Sequence, residues 1–193
     1  VDYVGQLETA LKTLPQTRHV VIVNGTSKVG LFLAKQFRKA FEPYTNRLNF
    51  IYLGGLPLGE ITEKVKKLPE NSIVLFYLML LDAAGESHIP VKILPDLTKA
   101  ANAPVYGAFD TYFGNGIVGG RLHSYEMLGV KAGEIGLQIL RGARPSDIPI
   151  SGHGTHLNLF DWRELKRWGI SEDRLPPDSI VRFKTPSFWE AYR

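Results

Sequence analysis

The chain has 193 residues, of which 44% are hydrophobic and 22% are charged; these proportions are typical of a globular protein and exclude a disordered or fibrous one. The net charge of +4 is scattered along the chain, which disfavours a nucleic-acid groove, and the longest apolar run, over 73–81, is too short to span a membrane. The absence of cysteine excludes disulfides, thiol nucleophiles and cysteine-bound metals.

The first half of the chain alternates helices with apolar strands. Leucines at helical spacing predict a helix that ends at Pro15, and a run of β-branched residues predicts a strand over 19–23. Ser27 can cap the next helix, which is expected over 28–40 with Leu31 on its buried face. The same patterns then predict a strand over 48–53, a helix over 58–68 and a strand over 72–81.

The second half continues this alternation. Pro95 suits the first turn of a short helix over 95–101. The remaining predicted elements are strands over 105–109 and 117–122, a helix over 124–141, a strand over 156–160, a helix over 161–168 and a strand over 179–183. This order of elements predicts an α/β protein with a doubly wound parallel sheet and right-handed crossovers.

The long helix over 124–141 carries three glycines close together, Gly129, Gly133 and Gly136. Each glycine inside a helix costs about 0.5–1 kcal/mol relative to alanine. Three of them therefore favour close packing of this helix against another element, and its apolar stripe also needs a partner.

Ligands of open parallel sheets bind at the carboxyl ends of the strands, so the loops at those ends are the candidate sites. After the first strand, the hydroxyls of Thr26 and Ser27 stand at a helix N-terminus, where they could hold a carboxylate or a phosphate. The same residues equally suit an ordinary capped turn. The loop lacks the spacing of a P-loop, so the sequence does not predict nucleotide binding there.

Two further loops follow the third and fourth strands. In the first, Tyr77 precedes Asp82, and a phosphorylated response-regulator aspartate is rejected because no acidic pair follows the first strand to bind magnesium. In the second, Asp110, Tyr112 and Phe113 combine a carboxylate with aromatic faces. That mixture is typical of a small-ligand pocket, and a structural turn is the other interpretation.

Other motifs are weaker. Residues 114–119 match the dinucleotide fingerprint formally, but they have the pattern of a strand where a helix should begin. His153 and His156 come nearest to a metal motif, although a plain loop pair is the more common arrangement. The sequence has no Gly-x-Ser-x-Gly nucleophile motif. It therefore predicts no catalytic residue, no metal and no cofactor.

Several segments, taken in chain order, resemble one family. They are 1–3, 23–25, 104–107 with Asp110, 116–120, 139–149 and the specific tail 175–193. In these segments the chain resembles the substrate-binding-protein-like sensor region of bacterial membrane histidine kinases, which is related to the solute-binding components of ABC transporters. In such sensors a similar tail precedes a transmembrane helix. The aromatic end of the tail, 188–193, also suits a helix docked on the protein.

The resemblance implies the type I periplasmic binding protein fold, in which two Rossmann-like lobes close on a ligand between them. It implies a ligand-binding lobe over 1–120, a crossover helix of the other, incomplete lobe over 121–155, and return strands with a membrane-proximal tail over 156–193. Because part of that other lobe is missing, we expect the helix over 124–141 to pack on the ligand-binding lobe or to be buried in a homodimer.

The resemblance also implies a function. The chain would be a non-enzymatic, periplasmic sensor of a small molecule, without nucleic-acid partners, tethered by a transmembrane helix after Arg193 and coupled by lobe closure to a histidine kinase. Two alternatives stay open: a solute-binding component of an ABC importer, and a cytoplasmic α/β enzyme that binds a nucleotide. The implied ligand contacts are Thr26, Ser27, Tyr77, Asp82, the polar anchor Asp110 and the apolar walls Tyr112 and Phe113, and the implied hinge residues are Gly114, Gly116, Gly119 and Gly120.

Overall fold

The computed structural model of the chain describes residues 1–149 and 154–185. Seven strands form one sheet in the order β2-β1-β3-β4-β5-β6-β7. These strands are β1 (His19–Val23), β2 (Asn49–Tyr52), β3 (Ser72–Phe76), β4 (Val105–Gly107), β5 (Gly119–His123), β6 (His156–Asp161) and β7 (Ile180–Arg182).

Six helices accompany the sheet within the described residues. They are α1 (Tyr3–Thr13), α2 (Lys28–Phe41), α3 (Leu58–Val65), α4 (Pro90–Ala100), α5 (Tyr125–Leu140) and α6 (Trp162–Arg167). No helix in this part of the chain combines the length and the apolar character needed to cross a bilayer.

The first five strands are parallel to their neighbours, and β6 then runs antiparallel to β5 before β7 pairs parallel with β6. The chain leaves β1 for β2 on one side and returns to β3 on the other, so the direction of winding reverses between β1 and β3. This is the predicted α/β lobe with a doubly wound sheet, and the antiparallel β6 is its one departure from the predicted parallel order.

Burial of apolar side chains on both faces of the sheet stabilises the lobe. All five residues of β3 are buried, as expected for a central parallel strand. Phe37 and Phe41 of α2 are fully buried, and so are Ile61 and Val65 of α3. Each such side chain contributes roughly 1.5–3 kcal/mol relative to full exposure.

Two predicted boundaries were wrong by five residues. β3 ends at Phe76, because the chain then leaves the sheet and enters a hairpin in which Leu81 pairs with Ser87. α4 begins at Pro90, and Pro95 lies inside the helix on its exposed side. The preference of proline for the first helical turn therefore applies to Pro90.

The buried face of α2 also differs from the prediction. Leu31 is 51% exposed, while Gly30, Phe37 and Phe41 are buried. Gly30 approaches the Gly25 carbonyl so closely that a Cβ atom would collide with it, which places this position against the loop that follows β1. Leu31 follows one residue later, about 100° around the helix, and so it points outward.

The helix α5 leaves the sheet after β5 and has no buried residue. Apart from neighbouring residues and the backbone of the helix itself, no heavy atom of the described chain lies within 4 Å of a Cβ built on Gly129, Gly133 or Gly136. The expected packing of α5 on the rest of the lobe is therefore absent among the described residues, whereas burial in a homodimer stays a prediction. Its exposed apolar side chains are Tyr125, Leu128, Val130, Leu137, Ile139 and Leu140.

We expect Gly119→Ala to destabilise the fold by about 1–3 kcal/mol, because Gly119 has φ +112° and an added Cβ would collide with the Leu159 carbonyl oxygen across β6. Urea denaturation measures this change. Gly59→Ala in the first turn of α3 is the control, since it has open space and ordinary helical geometry, and it should be neutral or slightly stabilising. Equal stability of the two variants would contradict the expectation.

Candidate functional site

The candidate site lies at the carboxyl edge of the parallel strands. Because β1, β3 and β4 run in one direction, the loops that follow them meet at one edge of the sheet. All seven predicted contact residues lie in these loops. The structure thus places them at a common edge, and their individual contacts decide which of them are open to a ligand.

The loops after β1 and β3 are joined by backbone hydrogen bonds. The Gly25 amide donates to the Leu78 carbonyl over 2.7 Å, and the Thr26 amide donates to the Leu81 carbonyl over 2.7 Å. The Thr26 hydroxyl donates to the Asp82 carbonyl, also over 2.7 Å. Ser27 Oγ accepts from the Gly30 amide at 3.1 Å and caps α2. Both predicted hydroxyls therefore have structural partners.

Asp82 is buried and holds three backbone amides. Its Oδ1 accepts from the amides of Ala84 at 2.9 Å and Glu86 at 3.0 Å, and its Oδ2 accepts from the Leu58 amide at 2.9 Å. The Leu58 hydrogen bond is the main cause that lowers the pKa of Asp82 to about 2. The side chain thus ties its own loop to the first turn of α3.

A short hairpin over 80–88 brings further polar groups to Asp82. The Asp82 amide donates to the Glu86 carbonyl over 3.0 Å, and the His88 amide donates to the Leu80 carbonyl over 2.9 Å. Asp82, Glu86 and His88 consequently share one face of the hairpin. Within the described residues they are the one group of three possible metal-ligand atoms that lie together, all within 4.8 Å of one another.

The sequence analysis missed this cluster because it extended the strand through Leu81. The signal was present in the turn Ala83-Ala84-Gly85, where Gly85 adopts φ +82°. Such a turn lets the chain fold back on itself and places residues 82 and 86 opposite each other.

Tyr77 and Tyr112 lie in the core. Tyr77 stacks on Phe37 with ring centroids 4.9 Å apart, and its carbonyl accepts from the Tyr112 hydroxyl at 2.7 Å. The Tyr112 ring packs edge-on against Phe76 and Phe109. Burial raises the pKa of both phenols. Both side chains therefore connect neighbouring elements inside the core, below the carboxyl edge of the sheet.

Asp110 and Phe113 diverge from each other. Asp110 Oδ2 accepts from the Tyr125 amide at 3.1 Å, which fastens the first turn of α5 to the edge. Its buried Oδ1 has no hydrogen-bond partner among the described residues. Phe113 stacks on Phe183 with ring centroids 5.4 Å apart. Asp110 thus contacts the start of α5, whereas Phe113 packs near the end of β7.

The four predicted hinge glycines lie in two places, Gly114 and Gly116 in the loop before β5 and Gly119 and Gly120 within it. All four have positive φ. Their role in a hinge motion stays a prediction. The predicted tail over 188–193 and the loop histidine His153 lie outside the described residues.

Two histidines lie where β5 and β6 meet. His123 pairs with His156 across the strands, and their ring centroids are 5.0 Å apart. Burial is the main cause that lowers the pKa of His156 to about 4; His123, Arg121 and the N-terminal amino group act in the same direction, and Asp2 opposes them. Burial likewise lowers the pKa of His123.

Two cavities flank the joined loops. One, of about 430 Å³, is lined by Asn24 and Tyr52, with the Arg38 guanidinium 3.6 Å above the Tyr52 ring centroid. The other, of about 580 Å³, lies between α3 and α4 beside Asp82. The sequence analysis assigned no role to Arg38 and Tyr52, because a contact between a helix and a neighbouring strand leaves no local pattern.

Three solved structures share this fold. They are the ligand-free, open structure of CD0873, a substrate binding protein with adhesive properties from Clostridium difficile (TM-score 0.68, 20% identity), a conserved domain protein from Vibrio cholerae (0.64, 15%), and the ABC domain in complex with L-Trp from Streptococcus pneumonia (0.60, 17%). Each alignment covers 93% of this chain but 59% of the other, so the chain spans about three-fifths of their length. No protein-family model and no curated protein matches the chain.

The comparisons confirm the predicted fold class. The chain has a Rossmann-type lobe like that of periplasmic binding proteins, with seven mostly parallel strands. At identities of 15–20% the likeness concerns the fold.

We expect Tyr112→Phe to destabilise the fold by about 1–2 kcal/mol, because it removes the hydroxyl that donates to the buried Tyr77 carbonyl. Tyr125→Phe is the matched control: Tyr125 is 51% exposed, and the loss of its hydroxyl should change the free energy of unfolding by less than about 0.5 kcal/mol. Urea denaturation of both variants distinguishes the two positions. A neutral Tyr112→Phe would show that this hydrogen bond does not stabilise the loop.

We expect the stability to fall as the pH drops from about 6.5 to about 4. In the unfolded chain His156 has an ordinary pKa near 6.5, so across this interval the unfolded chain binds a proton that the folded chain does not. The loss is complete below the folded pKa. Urea denaturation between pH 4 and 8 measures it, and His156→Asn should flatten the curve. An unchanged slope in that variant would contradict the assignment.

Proposed function

We propose that the chain is the ligand-binding lobe of an extracytoplasmic domain that senses a small molecule and signals by lobe closure to a membrane histidine kinase. The fold shared with substrate-binding proteins supports ligand binding. The resemblance of segments such as 104–107 and 139–149 to sensor regions supports the kinase partner. The ligand is a small solute with an apolar or aromatic part and a polar end, consistent with the L-Trp in one structural neighbour.

The observation that carries this proposal is the arrangement of β5, α5 and β6. The chain leaves the lobe along β5, forms a helix with no buried residue, and returns along β6 to the same sheet. Such an excursion is what a two-lobed protein requires where its chain crosses to the other lobe. The helix starts at the carboxyl edge, so the second lobe would face the predicted contact loops.

Asp110 connects ligand binding to the position of α5. One of its carboxylate oxygens holds the Tyr125 amide, and the other is a buried acceptor without a partner among the described residues. A ligand ammonium or hydroxyl that reaches this oxygen would donate the hydrogen bond that it lacks. A ligand drives closure only if it binds the closed state more tightly than the open one, and a contact at this junction supplies that difference.

The proposal is tested by thermal denaturation of this chain, and of the complete two-lobe region, against amino acids and small metabolites, beginning with L-tryptophan. A ligand at 100 times its Kd stabilises by about 2.7 kcal/mol. Asp110→Asn should then weaken binding at least about tenfold, because it removes the charge that pairs with a ligand ammonium but keeps an oxygen for the Tyr125 amide. Asp147→Asn is the control, since Asp147 is exposed and its carboxylate contacts only the nearby Arg144 and Ser146 among the described residues.

The result that would contradict the role of Asp110 is equal affinity in both variants. Stabilisation of the two-lobe region alone would show that the cleft needs both lobes. If neither protein is stabilised by any compound, the proposal of a small-molecule signal fails.

A second experiment distinguishes the kinase assignment from the importer assignment. In membranes that contain the parent protein, an identified ligand should change the rate of autophosphorylation. If the protein is instead the solute-binding component of an ABC importer, deletion of its gene should abolish uptake of the labelled ligand, and no autophosphorylation should be found.

A further inference from the structure

The hairpin over 80–88 presents three side chains that can ligate a metal ion. Antiparallel pairing sets residue 82 against 86 and residue 80 against 88, so Asp82, Glu86 and His88 project from one face. One ligand atom of each lies within 4.8 Å of the other two. The pairing of the hairpin thus assembles the cluster, and it does so independently of the proposed function.

Asp82 and His88 each place one possible ligand atom at a distance that suits two ligands of the same metal ion. His88 Nε2 lies 3.1 Å from Asp82 Oδ2, and it has no other polar partner among the described residues. This nitrogen is buried, and the His88 side chain is only 11% exposed. Two atoms about 2.0–2.2 Å from a shared cation are separated by about this distance.

The Asp82 carboxylate is held in place before any ion binds. Its three backbone hydrogen bonds come from its own loop and from the first turn of α3. Partners of this kind orient metal-ligating carboxylates and raise the affinity of a site. The position of Asp82 therefore requires no rearrangement on binding.

The surroundings of the cluster attract cations. The cavity of about 580 Å³ beside it is also lined by Asp96 and by Glu63, which pairs with Lys66, while Lys92 is the one lysine or arginine in its lining. Glu86 is exposed toward solvent, so the cluster has an entry path. The cavity leaves room for water on the positions of an ion that the protein does not fill.

We propose that Asp82, Glu86 and His88 form a binding site for a divalent transition-metal ion of the zinc class. An imidazole nitrogen favours zinc, nickel or copper over calcium and magnesium, which prefer oxygen ligands alone. Three protein ligands leave at least one coordination position to water or to a small molecule in the cavity. The bound ion would fix the hairpin and, through Asp82, join it to α3.

The test is a titration of the chain with Zn²⁺ by calorimetry, after treatment with a chelator and dialysis. We expect one equivalent to bind, with an increase in Tm, and expect Mg²⁺ and Ca²⁺ to bind at least about tenfold more weakly. His88→Ala and Glu86→Gln should each weaken Zn²⁺ binding at least about tenfold. With Co²⁺ as the probe, the visible absorption bands of the bound ion should change in His88→Ala.

The controls are Glu63→Gln and Asp96→Asn, which remove carboxylates from the same cavity but lie outside the cluster, and both should keep the Zn²⁺ affinity within about threefold. Asp82 is left unchanged because its side chain holds three amides, whereas the Glu86 and His88 variants keep those hydrogen bonds. Circular dichroism checks the fold of each variant. The proposal is overturned if Zn²⁺ does not bind at one equivalent, or if it binds equally well to His88→Ala and Glu86→Gln.

Discussion

The hydrogen bonds between the loops after β1 and β3 decide how much of the carboxyl edge is open. The winding of the sheet reverses at this point, where a doubly wound fold usually offers its crevice. Here Gly25 and Thr26 bond directly to the carbonyls of Leu78 and Leu81. An added Cβ on Gly25 would lie 2.5 Å from the Leu81 oxygen, so only glycine permits this approach. The open cavities consequently lie to either side of the joined loops.

Local patterns were sufficient to predict the alternation of elements. The strand over 19–23 was correct at both ends, because a β-branched run closed by Asn24-Gly25 has one interpretation. The strand that starts at 72 was predicted five residues too long, since a continuous apolar run looks alike in a strand and in a hairpin. Hydrophobicity shows that residues are buried, and it does not show where the chain turns.

The site was predicted less completely, for a related reason. The predicted order of strands and helices was enough to place the contact loops at one edge of the sheet. The partners of the individual side chains were not predictable: Tyr112 bonds to a carbonyl 35 residues away, and Asp82 to an amide 24 residues away. The sequence therefore indicated Asp82 as a candidate contact residue. In the structure its carboxylate accepts hydrogen bonds from the hairpin and from the first turn of α3.

The exposure of α5 affects how the stability of this chain should be understood. A helix of 16 residues that contains three glycines and has no residue buried by the described part of the chain is marginal in water, because helices of this length depend on packing. Asp110 and Ser124 secure only its first turn. We therefore expect its later turns to open without unfolding the sheet, so that their amide hydrogens exchange through local openings. A second lobe or a second copy of the chain that covers α5 would order these turns. The measured affinity of that partner would then include the free energy of ordering the helix.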